Sequence, residues 1–191
     1  MQTVLFVPGF QEDITSRAYS KTIEAIEQSG YNVEFVDIQW LRTVIDDWVT
    51  EFNTTYGSYD PKNTILAGFS YGAMTVFMAA VNRAPSELWL FSLSPYFIED
   101  IESESFNQAW LRHIGHRRVD SFKKLSFISL AKRISTKTHY FYGDLELRKW
   151  PDIGYRNELV KKLSNADTVI AIGAEHDVAT ETYIEAIKKV I

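Results

Sequence analysis

The 191-residue chain contains no cysteine, and this absence removes several kinds of chemistry at once. Thiol nucleophiles, disulfides and cysteine-ligated metal sites are all excluded. The sequence also has no His-Glu-x-x-His motif, and its four histidines are scattered along the chain, so that no metal site is indicated. We therefore expect a site built without thiols and without a metal.

Long apolar runs and long runs of basic residues are missing as well. No stretch approaches the roughly 18 consecutive apolar residues that a membrane-spanning helix needs, and no basic run is longer than a few residues. With a net charge of −5, the chain offers no basic surface for nucleic acid. The apolar run Val4 to Val7 is too short for a signal peptide and lacks a basic lead-in. A cytoplasmic location is the default expectation.

Strand-like and helix-like segments alternate along the chain. Hydrophobic residues make up 46% of it and charged residues 24%, as is ordinary for a globular domain, and the length predicts one domain, residues 1–191. The alternation predicts an α/β fold, a three-layer sandwich in which helices cover both faces of a parallel sheet. Apolar runs predict six strands, at 3–7, 31–38, 64–69, 88–93, 138–142 and 168–172.

The motif Gly-x-Ser-x-Gly, Gly68 to Gly72, stands between the third strand and a helix-like run. At such a junction the motif predicts a tight turn in which glycines flank the serine, because the neighbouring backbone passes too close for a Cβ. The turn would place the Ser70 hydroxyl at a helix N-terminus, where the helix dipole favours developing negative charge. The position therefore predicts a nucleophilic serine.

A serine needs a base before it becomes a good nucleophile. Functional residues of parallel sheets lie where the strands end at their carboxyl edge, and His176 follows the last predicted strand. It can therefore face Ser70. The other histidines have simpler explanations, because His113 and His116 lie in a helical region and His139 lies inside a strand.

Two further roles have candidates after other strands. Asp144 and Glu146 follow the fifth strand, and either carboxylate could orient His176. The turn after the first strand could aim the backbone N–H of Phe10 above Ser70. Together with the Tyr71 N–H it would form a two-donor oxyanion hole.

The chain order of oxyanion loop, nucleophile, acid and base resembles the α/β-hydrolase superfamily, and the length resembles its small, minimal-core serine hydrolases and esterases. The likeness is carried by four segments, 8–10, 68–72, 143–146 and 173–177, and it spans residues 3–191. It implies about six parallel strands in the order 2-1-3-4-5-6, without the first two strands of larger members. It also implies an acid about three residues after the glycine that closes the fifth strand, which favours Glu146 and leaves Asp144 as the alternative.

Residues 96–136 form a helical insertion between the fourth and fifth predicted strands. The simpler interpretation is a set of amphipathic helices that pack on the sheet. The sharper hypothesis is a cap, a mobile lid lined by Phe97, Phe106 and Trp110, which would bind an apolar acyl group.

The leading functional prediction is a serine hydrolase of the carboxylesterase type. It would cleave an ester, a thioester or an amide of a small molecule through an acyl-enzyme, with no metal and no organic cofactor. One alternative is a ligand-binding or protein-interaction module that keeps the fold without turnover. The other is an acyltransferase that uses the same residues. The oligomeric state stays open.

Overall fold

The computed structural model describes residues 1–16, 19–104, 106, 108–149 and 152–191. Ala18, in the first predicted helix, lies outside these ranges. Within them, six strands form one parallel sheet in the order β2-β1-β3-β4-β5-β6, which confirms the predicted α/β architecture and strand order. The strands are β1 Thr3–Val7, β2 Asn32–Phe35, β3 Thr64–Phe69, β4 Glu87–Phe91, β5 Lys137–Gly143 and β6 Ala166–Ala171.

Helices cover both faces of the sheet, because successive strand side chains point to opposite sides. Val4 and Phe6 pack into one core with the helices at residues 19–28 and 181–188, whereas Leu5 and Val7 pack into the other with the helices at residues 45–56 and 71–82. The sequence of a strand that is buried on both faces is an unbroken apolar run. The helices are α1 Tyr19–Gln28, α2 Ile45–Tyr56, α3 Tyr71–Asn82, α4 Ile98–Ile101, α5 Trp110–Ile114, α6 His116–Phe122, α7 Phe127–Ala131, α8 Glu146–Lys149, α9 Asp152–Val160 and α10 Glu181–Lys188.

The segment between β4 and β5 is helical, as expected, but it is divided into four short helices, α4 to α7. Gly115 separates α5 from α6 with a φ of 89°, a conformation in which a helix cannot continue. Ser126 begins α7, where its side chain accepts a hydrogen bond from the Ser129 N–H. Helix α8 was not predicted, because its four residues are too few to show a helical pattern.

A buried ion pair joins this segment to the rest of the protein. Arg156 of α9 and Asp100 of α4 are both fully buried and contact each other. The Arg156 guanidinium also lies 4.6 Å and 4.4 Å from the ring centroids of Phe97 and Phe127, within the range of cation–π attraction. Removing one partner of such a pair would leave a buried charge without compensation. Helix α4 is therefore held firmly against α9.

Among the helices in the described ranges, we find none with the length and apolar character that a bilayer crossing requires.

Candidate active site

Ser70 lies in a strained turn between β3 and α3. Its backbone has φ 57° and ψ −115°, which is rare for a residue that is not glycine. A Cβ at Gly68 would overlap the Gly72 backbone, and a Cβ at Gly72 would overlap the carbonyl oxygens of Val7 and Pro8. The turn therefore requires both flanking glycines. It brings the Ser70 hydroxyl to the first turn of a 12-residue helix.

Three predicted site residues form one chain of hydrogen bonds. The Ser70 Oγ lies 3.1 Å from Nε2 of His176, and Nδ1 of His176 lies 2.9 Å from Oε2 of Glu146. Glu146 is fully buried, whereas the His176 side chain is 18% exposed. The His176 ring packs 4.7 Å from the ring of Phe69, next to the serine. A hydroxyl, an imidazole and a carboxylate thus stand in the order that nucleophilic catalysis requires.

Asp144, the alternative acid, has a different partner. Its Oδ1 accepts a hydrogen bond of 2.6 Å from the Gly173 backbone N–H. Gly173 has a φ of 81° and lies in the loop that leads to His176. Asp144 therefore holds the shape of that loop, while Glu146 contacts the imidazole itself.

Residues that sequence reasoning missed hold the Glu146 carboxylate. Its Oε1 accepts hydrogen bonds from the Ser92 hydroxyl at 2.5 Å and from the Gly143 N–H at 2.8 Å. The Tyr183 hydroxyl lies 2.9 Å from Ser92 Oγ. Burial, and to a lesser degree the Glu146 charge, raises the pKa of Tyr183 well above its usual range, so that the phenol stays neutral. The position of Ser92 directly after β4 was the available signal.

The turn after β1 lies against the turn that holds Ser70. The Phe10 ring lies 5.0 Å from the Tyr71 ring. The Gly9 N–H donates to the Tyr19 hydroxyl at 3.0 Å, which in turn donates to Glu12 at 2.5 Å, and these bonds fix the turn. Within the described part of the chain, the backbone N–H groups of Phe10 and Tyr71 have no hydrogen-bond acceptor. Both donors are therefore free to bind a ligand oxygen.

Ser94 is a second residue that sequence reasoning missed. It follows β4 by three positions, its side chain is almost completely buried, and its Oγ lies 3.1 Å from Ser70 Oγ. Nothing in the local sequence distinguishes it from a serine that simply ends a strand.

An aromatic cluster lies beside the serine. The Tyr71 ring contacts Tyr96 at 5.3 Å and Phe122 at 5.7 Å, and the latter two rings stack 5.5 Å apart. Burial raises the pKa of Tyr71 well above its usual range, and a hydrogen bond with Tyr96 adds to this effect. The three rings belong to the turn after β3, the loop after β4 and α6. They form a mostly buried aromatic cluster that begins at the residue after Ser70.

The three residues that were predicted to line a lid lie in different surroundings. Phe97 has no exposed surface and packs 5.7 Å from the ring of Phe77 in the core. Phe106 is buried with its ring 6.2 Å from that of Tyr96, so that it borders the aromatic cluster. Trp110, on α5, is 39% exposed.

The sheet order and the serine turn define the α/β-hydrolase fold, and solved structures confirm it. Est1E from Butyrivibrio proteoclasticus matches with a TM-score of 0.78 and 16% identity, over 98% of this chain and 86% of that one. A second structure of Est1E, with ferulic acid bound, matches at 0.77 and 14% identity, over 99% and 86% of the two chains.

Two further structures give the same result. A thioesterase domain from the curacin biosynthetic pathway has a TM-score of 0.72 and 16% identity, over 99% of this chain and 90% of that one. An extracellular α/β-hydrolase from a Paenibacillus species has a TM-score of 0.71 and 13% identity, over 100% and 98% of the two chains. No protein-family model and no curated protein sequence matches the chain. At such low identity the likeness establishes the fold alone.

Proposed function

We propose that the protein is a serine hydrolase that cleaves a carboxylic ester, or a thioester or amide, through an acyl-enzyme. The observation that carries the proposal is the unbroken series of hydrogen bonds from Ser70 through His176 to Glu146. Such a series raises the reactivity of a hydroxyl that is otherwise a poor nucleophile. The esterases and the thioesterase domain of the same fold agree with this class of reaction.

In the proposed acylation step, Ser70 Oγ attacks the acyl carbonyl carbon and its proton passes to Nε2 of His176. The tetrahedral intermediate collapses, and the leaving group takes that proton from His176. Water then attacks the acyl carbon and gives a proton to Nε2 of His176. The second intermediate collapses, Ser70 Oγ leaves and takes that proton, and the acid product is released. Glu146 accepts the Nδ1 hydrogen bond, fixes the tautomer of His176 and stabilises the imidazolium that forms.

The backbone N–H groups of Phe10 and Tyr71 are the proposed oxyanion donors. Both lack another acceptor among the described residues, and their two turns are in contact. Donors that are fixed before the reaction need no reorganisation when charge appears on the carbonyl oxygen. The Tyr19 and Glu12 side chains support the turn that carries Phe10.

We further propose an apolar or aromatic acyl group for the substrate, with residues 96–136 as the cap over the site. The rings of Tyr96 and Phe122 lie beside Tyr71, which follows the serine, and Phe106 extends this cluster. The ferulic acid bound to Est1E, an aromatic acid on the same fold, favours comparing esters of aromatic acids with esters of aliphatic acids as substrates.

The test is labelling of the purified protein with a fluorophosphonate probe, alongside hydrolysis of p-nitrophenyl butyrate. We expect the wild type to be labelled and active. Ser70→Ala and His176→Ala should lose labelling and at least about 10³-fold in kcat/KM, as usual for such residues. His116→Ala is the matched control, because His116 is an exposed histidine at the start of α6 and should react like the wild type.

Two outcomes would overturn the proposal. A folded wild type that neither labels nor hydrolyses activated esters would favour the binding-module alternative. Labelling at a residue other than Ser70 would assign the nucleophile elsewhere. Partition of the acyl group between water and an added alcohol or amine separates hydrolysis from acyl transfer.

A further inference from the structure

The Ser94 hydroxyl touches the proposed nucleophile but has no part in the series of residues described above. Its Oγ lies 3.1 Å from Ser70 Oγ, and the residue is only 4% exposed. In the part of the chain that the structure describes, Ser70 is its only side-chain hydrogen-bond partner. Because the described residues give the Ser94 hydroxyl no other side-chain hydrogen bond, it has a definite orientation towards the Ser70 oxygen.

The neighbouring groups determine which oxygen donates. The ionised Glu146 carboxylate can only accept, so that Nδ1 of His176 carries the proton and donates to it. In that tautomer Nε2 is an acceptor, and the Ser70 O–H donates to it at 3.1 Å. The remaining lone pairs of Ser70 Oγ are then available to Ser94. The Ser94 O–H therefore donates to Ser70.

We propose that Ser94 is a catalytic residue whose hydroxyl promotes the release of Ser70 from the acyl-enzyme. The inference rests on the proposed function and deepens it. During deacylation, water attacks the acyl carbon and gives a proton to Nε2 of His176. The intermediate then collapses, the bond between the acyl carbon and Ser70 Oγ breaks, and its electron pair stays on Oγ. His176 returns the proton to Oγ, and the acid product leaves.

A donor on the departing oxygen stabilises the negative charge that develops there. The proton of Ser94 is not transferred, and its hydrogen bond strengthens as Ser70 Oγ gains charge. In acylation the same bond has two opposing effects. It helps Ser70 to lose its proton, but it also makes the oxygen a weaker nucleophile. Loss of the Ser94 hydroxyl should therefore slow deacylation much more than acylation.

The experiment measures the two half-reactions separately with Ser94→Ala and p-nitrophenyl butyrate. Release of p-nitrophenol with enzyme in excess gives the acylation rate. Decay of the acylated protein, followed by intact mass after rapid desalting, gives the deacylation rate. We expect acylation within about threefold of the wild type and deacylation slower by about ten- to hundredfold, the usual range for a hydrogen bond to a charged group.

Ser94→Thr keeps a hydroxyl at the same position and should restore most of the deacylation rate. Ser58→Ala, at an exposed serine in the turn after α2, is the control and should behave like the wild type. If Ser94→Ala slows both half-reactions equally, or slows neither, the proposal is wrong. Ser94→Ala could be too unstable to assay. In that case the proposal is wrong if Ser94→Thr, which keeps the hydroxyl, deacylates about ten- to hundredfold more slowly than the wild type. A wild type that forms no adduct at Ser70 would instead disprove the hydrolase function itself.

Discussion

At the scale of single residues, the site depends on how one buried carboxylate is held. Glu146 has no exposed surface, and a buried charge is costly unless it is paired and hydrogen-bonded. Three donors compensate for it, from Ser92, Gly143 and His176. Ser92 follows β4, Gly143 ends β5 and His176 follows β6, so that the three donors meet at the same edge of the sheet. The carboxylate therefore fixes both the imidazole and the loops around it.

We predict that Glu146→Gln and Asp144→Asn have very different effects. Glu146→Gln removes the charge that stabilises the imidazolium, and kcat should fall by about 10²–10⁴-fold. Asp144→Asn keeps an oxygen that can accept from the Gly173 N–H, and kcat should stay within about tenfold of the wild type. Steady-state hydrolysis of p-nitrophenyl butyrate measures both. If the Asp144 variant lost more activity than the Glu146 variant, Asp144 would be the triad acid.

The sequence was sufficient to propose Ser70 and His176 because each has a simple positional rule. The serine lies between two glycines that the turn requires, and the histidine follows the last strand. Ser92 also follows a strand directly, but neither its position nor that of Ser94 indicates which group the hydroxyl contacts. Ser92 has a φ of 49°, which no local pattern predicts, and its contact with Glu146 spans 54 residues of sequence. Contacts of this kind depend on how neighbouring strands are aligned, which one sequence does not reveal.

At the scale of elements, the strands were easier to predict than the helices of the insertion. All six residues of β3 are buried, and an apolar run of that length has clear ends. The helices α4 to α7 have four to seven residues each, so that none of them completes more than two turns. The spacing of their apolar residues is compatible with one continuous helix as well as with four short ones. In the structure the positive φ of Gly115 and the cap that Ser126 forms divide the segment.

The contact between the β3–α3 turn and the end of β1 leads to a prediction for Gly72→Ala. The added Cβ would overlap the carbonyl oxygens of Val7 and Pro8, which are backbone atoms and cannot rotate away. We expect a loss of about 1–3 kcal/mol in the free energy of unfolding. We also expect much slower fluorophosphonate labelling, because the Phe10 turn is displaced from Ser70.

The matched control is Gly154→Ala in α9. Among the described residues, the added Cβ would meet only a Leu147 methyl group there, at 3.7 Å, which is an ordinary contact. Alanine favours helix over glycine by up to about 1 kcal/mol. Urea unfolding should therefore show equal or greater stability, with unchanged labelling. A Gly72→Ala variant as stable and reactive as this control would show that the turn has room to adjust.

At the scale of the whole molecule, the sheet order brings distant segments together. The segments after β1, β3, β4, β5 and β6 lie at one edge of the parallel sheet, and each carries at least one residue of the candidate site. The same architecture also buries the side chains on both faces of the sheet under helices. A titratable group in a central strand then affects the stability of the whole fold.

His139 of β5 is such a group. It is buried in the sheet, and burial, aided by the Lys137 charge, lowers the pKa of His139. Glu87 on β4 and Asp167 on β6 oppose this effect, with carboxylate oxygens 3.5 Å and 4.0 Å from the imidazole. In the unfolded chain a histidine titrates near its ordinary pKa of 6.5. The folded state therefore binds fewer protons than the unfolded state once the pH falls below about 6.5.

The sign of this difference predicts a loss of stability on acidification that depends on His139. The free energy of unfolding should fall by at most about 1.4 kcal/mol per pH unit between pH 6.5 and the lower folded-state pKa, and then level off in this contribution. His139→Leu removes the contribution, so that urea unfolding at pH 7.5 and pH 5.5 should differ less in this variant than in the wild type. His116→Leu, at an exposed position, controls for the loss of a histidine. An equal loss in the wild type and in His139→Leu would mean that other groups cause the acid sensitivity, and that the two carboxylates keep His139 as easily protonated in the sheet as in the unfolded chain.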